Sequence, residues 1–222
     1  MLFRSHYAET SVRQAGKVSF LQDDNRSWKG KDQRGIDTGY YPEPADFIRQ
    51  LRRTLARRIC GDDLFYMMDL LGGNYNDPQV EAELQQHQKY FEQYADLRGP
   101  SLGEVLVVVD ETAIAHLSLG SQLQKQNVYL QSVEWARMGV PFHVMLLDDA
   151  ATINLDPYKF VIMTNAYVAS PQVVQLVTRC RQEQRSLLFL PGCGLAGPHG
   201  PSPETARSLL MFSPGEIGRA HV

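Results

Sequence analysis

The chain has 222 residues, 43% of them apolar and 21% charged, with a formal net charge of −3. That suits one large or two small globular domains. It supplies no cationic field for nucleic acid or an anionic membrane, and no apolar run approaches the roughly 18 residues of a membrane span, so neither partner is expected. The first residues lack the apolar core of a signal peptide, and the compartment, cytoplasmic or exported, stays open. The three cysteines, Cys60, Cys180 and Cys193, are sparse and unpatterned. They exclude a disulfide framework and a zinc site.

In chain order, residues 17–22 (Lys-Val-Ser-Phe-Leu-Gln) read as a short strand that ends in the polar cluster Asp23-Asp24-Asn25-Arg26-Ser27. A loop rich in Gly, Lys and Asp follows, through Tyr41. Pro42 and Pro44 open a helix, since proline suits a first turn. Phe47, Ile48, Leu51, Leu55 and Ile59 keep its 3.6-residue period, and Gly61 stops it. The continuous apolar run 64–68 suits a strand buried on both faces. It ends at Asp69, just before Gly72-Gly73. Polar residues therefore gather at the carboxyl ends of two strands joined by a helix, the end that carries chemistry in barrels and open α/β sheets.

Asp77-Pro78 is an N-cap and first-turn pair for a helix to about residue 96. His87 sits within its apolar stripe and reads as a packed histidine. The stretch 98–103 (Arg-Gly-Pro-Ser-Leu-Gly) breaks the composition and marks a domain boundary. Strands follow at 104–109, 141–147, 158–163 and 186–190. Between them lie a helical region over 112–138, broken near Gly120-Ser121, and a helix capped by Ser170-Pro171. Ser202-Pro203 caps a last short helix. Strands alternating with helices imply parallel βαβ units, hence an α/β fold with an open, flavodoxin-like or amidotransferase-like three-layer sheet.

Two stretches carry a family resemblance. Gly16-Lys-Val-Ser-Phe-Leu-Gln-Asp-Asp-Asn-Arg-Ser27 resembles a barrel strand of the form GK-x-x-x-x-E-x-D-x-R-T. Leu64-Phe-Tyr-Met-Met-Asp-Leu-Leu-Gly-Gly-Asn-Tyr-Asn-Asp-Pro78 resembles a last barrel strand and its exit, W-x-F-D-M-x-G-G-x-Y-x-D-P. Both patterns belong to the family 42 glycoside hydrolases, the β-galactosidase group. Residues 104–212 are similar to the trimerisation domain of those enzymes, which has a class I glutamine amidotransferase-like fold. The features here are Val107-Val-Val-Asp-Glu111, Leu146-Leu-Asp-Asp149, the run 158–165 and Pro191-Gly192.

The resemblance implies the following division. Residues 1–76 are the end of a (β/α)8 barrel truncated at its N-terminus, 77–100 a connecting helix and linker, and 101–215 the accessory domain. Residues 216–222 resemble the translation of a sequencing adapter and are set aside as a non-native tail. The implied substrate is a carbohydrate and the implied assembly a homo-oligomer, a trimer. No cofactor or metal is called for.

Retaining glycosidases place an acid/base and a nucleophilic carboxyl about 5 Å apart. By resemblance the acid/base glutamate lies on an earlier barrel strand, outside this chain. Gln22 stands where the family pattern has Glu, and an amide cannot form the glycosyl ester. Three readings stay open: Asp23 or Asp24 supplies the carboxylate, the motif aligns elsewhere, or the parent has lost standard catalysis. Arg26 would hold a neighbouring carboxylate ionised or form a surface pair with Asp24. Asp69 would accept sugar hydroxyl bonds or cap the Gly72-Gly73 loop. Trp28 and Tyr41, beside Tyr40, would stack on a sugar face or pack. A non-catalytic sugar-binding or oligomerisation protein is the rival. Cys193, flanked directly by glycines, lacks the spacing of a nucleophile elbow, and Asp110-Glu111 and Asp148-Asp149 read as caps.

Overall fold

The computed structural model describes residues 9–23, 25–29, 41–61, 64–69, 72–94, 102–118, 120–197 and 199–211. The chain forms two compact units: residues 16–100 make one, and the residues on either side make the other.

The first unit is a β–α–β–α run: β1 (Phe20–Asp23), α2 (Pro44–Gly61), β2 (Leu64–Met67) and α3 (Pro78–Tyr94), preceded in the chain by α1 (Glu9–Gln14). β1 and β2 pair in parallel, Phe20 with Leu64 through Asp23 with Met67. The ladder gains one bond at each end, Leu64 N–H to Ser19 O at 2.9 Å and Met68 N–H to Asp23 O at 2.8 Å. β1 therefore begins three residues later than the sequence suggests, because its short partner sets the length of the ladder. Strand side chains alternate between faces. Met67 joins Phe47, Leu51, Val80 and Leu84 in a small core under α2 and α3. Phe20, Gln22, Leu64 and Tyr66 lie on the opposite, exposed face, so the run from Leu64 is covered on one face only, not on both as its continuous apolar character suggests.

The second unit is a four-stranded parallel sheet in the order β4-β3-β5-β6. Its strands are β3 (Val105–Val109), β4 (Phe142–Leu146), β5 (Phe160–Met163) and β6 (Ser186–Phe189). Alternation splits its core in two. Leu106, Val108, Met145, Val161 and Met163 pack with α5 (Leu147–Ala150), α6 (Pro171–Gln182) and α7 (Pro203–Leu210). Val107, Val109, Val144 and Ile162 pack with Val128 and Trp135, which belong to a π-helix (Lys125–Leu130) and α4 (Gln131–Arg137). Helices thus cover both faces, and the order is that of doubly wound sheets.

Local chemistry accounts for the ends of these elements. The hydroxyls of Ser170 and Ser202 accept from Val173 N–H and Thr205 N–H, both at 3.2 Å, with Pro171 and Pro203 in the first turns. Gly139, at φ 69°, turns the chain after α4. The break near Gly120 divides a 3-10 turn (Ala113–His116) from the π-helix.

Two further features depart from the sequence analysis. A short hairpin, β7 (Ala196–Gly197) with β8 (Gly200–Pro201), precedes α7. More consequentially, residues 9–15, which the sequence analysis grouped with the barrel strands, lie in the unit of the four-stranded sheet. There α1 packs on the outer edge of β4, and Leu146 N–H donates to Ser11 Oγ at 2.9 Å. An edge strand exposes unpaired backbone groups, and α1 covers this one. Among the described residues, no helix is long and apolar enough to cross a membrane.

Candidate functional site

The polar residues singled out by sequence converge at the carboxyl ends of β1 and β2. Gln22 is exposed on the open face beside its register partner. The Tyr66 hydroxyl donates to Gln22 Oε1, and Gln22 Nε2 donates to Met68 Sδ. Phe20 and Tyr66 stack on the same face, ring centroids 5.4 Å apart. Position 22 is therefore an uncharged amide held by a phenol, above an aromatic pair.

Asp23, the next residue, faces the other way and is buried. Its carboxylate accepts from Asn25 N–H at 3.2 Å and from the Asn25 amide. Burial pushes its pKa above the ordinary carboxylate value, against the opposing pull of Thr54, Asn25 and Arg58. Thr54 and Arg58 are on α2, and Arg58 is itself buried, so Asp23 is directed at the helix layer rather than at Gln22. Asp24 lies outside the described residues, as do Tyr40 and residues 216–222.

The two loops at this end are laced together. Asp69 Oδ1 accepts from Asn74 N–H at 3.2 Å and from the Asn74 side-chain amide at 2.8 Å. Asn74 Oδ1 accepts from Ser27 N–H at 3.0 Å. Asn74 and Ser27 are both buried. Lys29 Nζ donates to Asn76 O at 2.6 Å and lies 3.1 Å from Asp77. Asp69 thus caps the Gly72-Gly73 turn, where both glycines have positive φ.

Trp28 and Tyr41 turn toward the small core. Their ring centroids lie 6.1 and 5.9 Å from that of Phe47. Burial also raises the Tyr41 pKa. Arg26 is half-buried between Asn25 and Ser27.

Sequence reasoning passed over Tyr66, Asn74 and Ser27. Tyr66 is hidden in an apolar run and becomes visible only once the register puts it opposite Gln22. Asn74 carries a faint signal, an amide directly after Gly-Gly.

The second unit offers a different crevice. The chain leaves β3 toward β4 on one side and crosses to β5 on the other, the switch point where open sheets bind ligands. Here the crevice is filled by its own side chains. Asp110 N–H donates to Asn165 Oδ1 at 2.8 Å, and Asn165 Nδ2 donates to Asp110 O at 2.7 Å and Gln124 Oε1 at 3.2 Å. Thr112 caps back onto the Asp110 carboxylate through its N–H at 3.0 Å and hydroxyl at 2.7 Å. Cys193 is buried, and its thiol donates to Met163 O at 3.3 Å. Burial pushes that thiol up to about 12, which removes the thiolate a nucleophile needs. Among the described residues, no group of three His, Cys, Asp or Glu side chains is placed to hold a metal ion.

No protein-family model matches the chain, and no curated protein matches it in sequence. Solved structures do share the fold. A β-galactosidase from Rahnella sp. R3 overlays 88% of the chain with a TM-score of 0.55 and 12% identity. Gan42B, a GH42 β-galactosidase, overlays 85% with a TM-score of 0.53 and 12% identity. The chain spans 30% and 29% of those two proteins. The likeness is one of α/β fold, and it extends over more of the chain than either unit alone contains.

Proposed function

We propose that the chain is part of a glycoside hydrolase of β-galactosidase type, an enzyme that hydrolyses O-glycosidic bonds in carbohydrates. In this reading β1, α2, β2 and α3 are the last strand–helix units of a (β/α)8 barrel, and residues 101–215 are the amidotransferase-like trimerisation domain. The observation that carries it is the parallel β1–β2 pair with its polar rim, in a chain whose fold overlays two β-galactosidases. The open face of the pair would be the barrel interior, and the loops after Asp23 and Met68 one side of the sugar site. The acid/base glutamate would come from a strand outside these residues. The nucleophile would come from the rim stretch 22–24, whose carboxylates are Asp23 and Asp24, and Arg26 and Asp69 would serve substrate binding. The accessory unit would supply subunit contacts in a homo-oligomer.

A second reading is favoured by one specific feature. The open-face position at the rim is Gln22, an amide, and Asp23 points into the helix layer. A parent with this rim and no other nucleophile would bind sugar without cleaving it.

The 222-residue chain is expected to show no hydrolysis of aryl glycosides, because two strands cannot close a barrel of eight. The decisive comparison uses the longer gene product, assayed against aryl β-galactosides with Gln22, Asp23 and Asp24 varied one at a time. Loss of activity on changing one carboxylate supports the enzyme and identifies its nucleophile. Sugar binding with no turnover, converted to turnover by Gln22→Glu, supports the second reading. Neither binding nor turnover would overturn both.

A further inference from the structure

α2 and α3 leave between them an open cleft of about 500 Å³, within the roughly 300–1,000 Å³ span of small-molecule sites. Arg52 and Ala56 of α2 line it, with Glu83, Gln86, Tyr90 and Tyr94 of α3 among the others. All the residues that line it belong to these two helices. That sets it apart from the cavity beside β2, which Leu64 and Met67 border and which strands added next to β2 would fill.

One wall is aromatic. Tyr90 and Tyr94 stand one turn apart on α3, with ring centroids 6.2 Å apart and planes 26° from parallel. Tyr90 is 40% exposed. An aromatic face carries negative charge density, on which the polarised C–H groups of a sugar ring stack. The other wall is polar and held in place. Arg52 Nε and Nη2 donate to the two oxygens of Glu83 at 2.8 and 2.7 Å, the bidentate form that fixes both planes. His87 Nε2, 3.0 Å from Glu83 Oε1, holds the carboxylate from the buried side. A guanidinium carries five N–H donors and a carboxylate about four acceptor sites, so the pair keeps donors and acceptors for a ligand. A hydroxyl, at once donor and acceptor, suits it. The charges of Arg52 and Glu83 offset each other, and the cleft therefore favours a neutral ring over an ion.

We propose that this cleft is a carbohydrate-binding site separate from the rim: a neutral saccharide ring lies on Tyr90 and Tyr94, and its hydroxyls bond to the Arg52–Glu83 pair and to the Gln86 amide. α3 begins at the rim, where Asp77 meets Lys29, and Tyr90 lies about 20 Å further along the helix axis at 1.5 Å per residue. The site stands on α2 and α3 alone, and the glycosidase reading supplies only the choice of a galactoside as probe. In a glycosidase such a site would hold a stretch of a long substrate away from the reacting centre.

The test needs only the 222-residue chain, titrated with methyl β-galactoside while NMR follows the tyrosine rings and the side-chain amides. Saturable shifts are expected at Tyr90, Tyr94 and Gln86, with a Kd on the order of 1–10 mM. Tyr90→Ala should weaken binding about tenfold, and Tyr90→Phe, which keeps the ring face, should hold it within about twofold. Arg52→Gln, at the surface, should weaken it several-fold and serves as the second variant if Tyr90→Ala folds poorly. Shifts confined to Gln22 and Tyr66 would put the sugar at the rim, which overturns this site and leaves the glycosidase reading standing. No saturation below about 50 mM, or an affinity indifferent to both Tyr90→Ala and Arg52→Gln, would overturn it as well.

Discussion

At the residue scale, the rim illustrates how one step along a strand changes the chemistry available. Gln22 and Asp23 are neighbours in sequence, yet alternation sends the amide to the open face and the carboxylate to α2. The loops around them depend on one buried amide. Asn74 links the cap on Asp69 to the backbone of Ser27. Replacing it by alanine strands the Ser27 N–H without its acceptor, at a cost of about 2 kcal/mol. Urea unfolding of Asn74→Ala should show that loss, and an unchanged midpoint would mean that the loops are not laced through it.

The thiols make a second residue-scale prediction. Cys180 and Cys193 are buried, and their thiols are pushed up to about 11 and about 12. At pH 8 both are almost wholly protonated and shielded. Neither should be alkylated by iodoacetamide in the folded chain, while both should react in urea. Mass-mapped labelling of native Cys193 would revive it as a nucleophile.

At the scale of elements, α1 makes the clearest claim. Six residues from the N-terminal side cover the outer edge of β4, through a hydrogen bond that spans 135 positions of sequence. Ser11→Ala should lower the stability of the four-stranded unit by about 1 kcal/mol, seen as slower protection loss at Leu146 in the parent than in the variant.

The elements also show what sequence made legible. Capped helices and apolar strands were readable because their causes are local. Ser170-Pro171, Ser202-Pro203 and Asp77-Pro78 each start a helix by hydrogen bonds within three residues, and Val105–Val109 is apolar because both of its faces are covered. What escaped was non-local. α1 is a short polar helix defined by the strand it covers, and the limits of β1 are set by the length of β2. The candidate site was half legible for the same reason. Asp69 capping the Gly72-Gly73 turn is a short-range event. The Gln22–Tyr66 pair, and the turning of Trp28 and Tyr41 toward Phe47, require knowledge of which strand and helix lie alongside.

At the scale of the whole molecule, the two units differ in how far their apolar faces are covered. The four-stranded unit has an apolar core on each face of its sheet and a switch-point crevice closed by Asn165 and Gln124. The two-stranded unit leaves Phe20, Leu64 and Tyr66 exposed on one face and keeps an open cavity beside β2. A two-stranded sheet with a bare apolar face is a weak structure alone, and a barrel supplies the neighbours such strands need. The most direct measurement is therefore release of the aryl group from an aryl β-galactoside by the longer protein that the proposed barrel calls for and by the 222-residue chain in parallel. The glycosidase account predicts turnover by the longer protein and none by the chain. Turnover by the chain itself, or its absence from both, would contradict it.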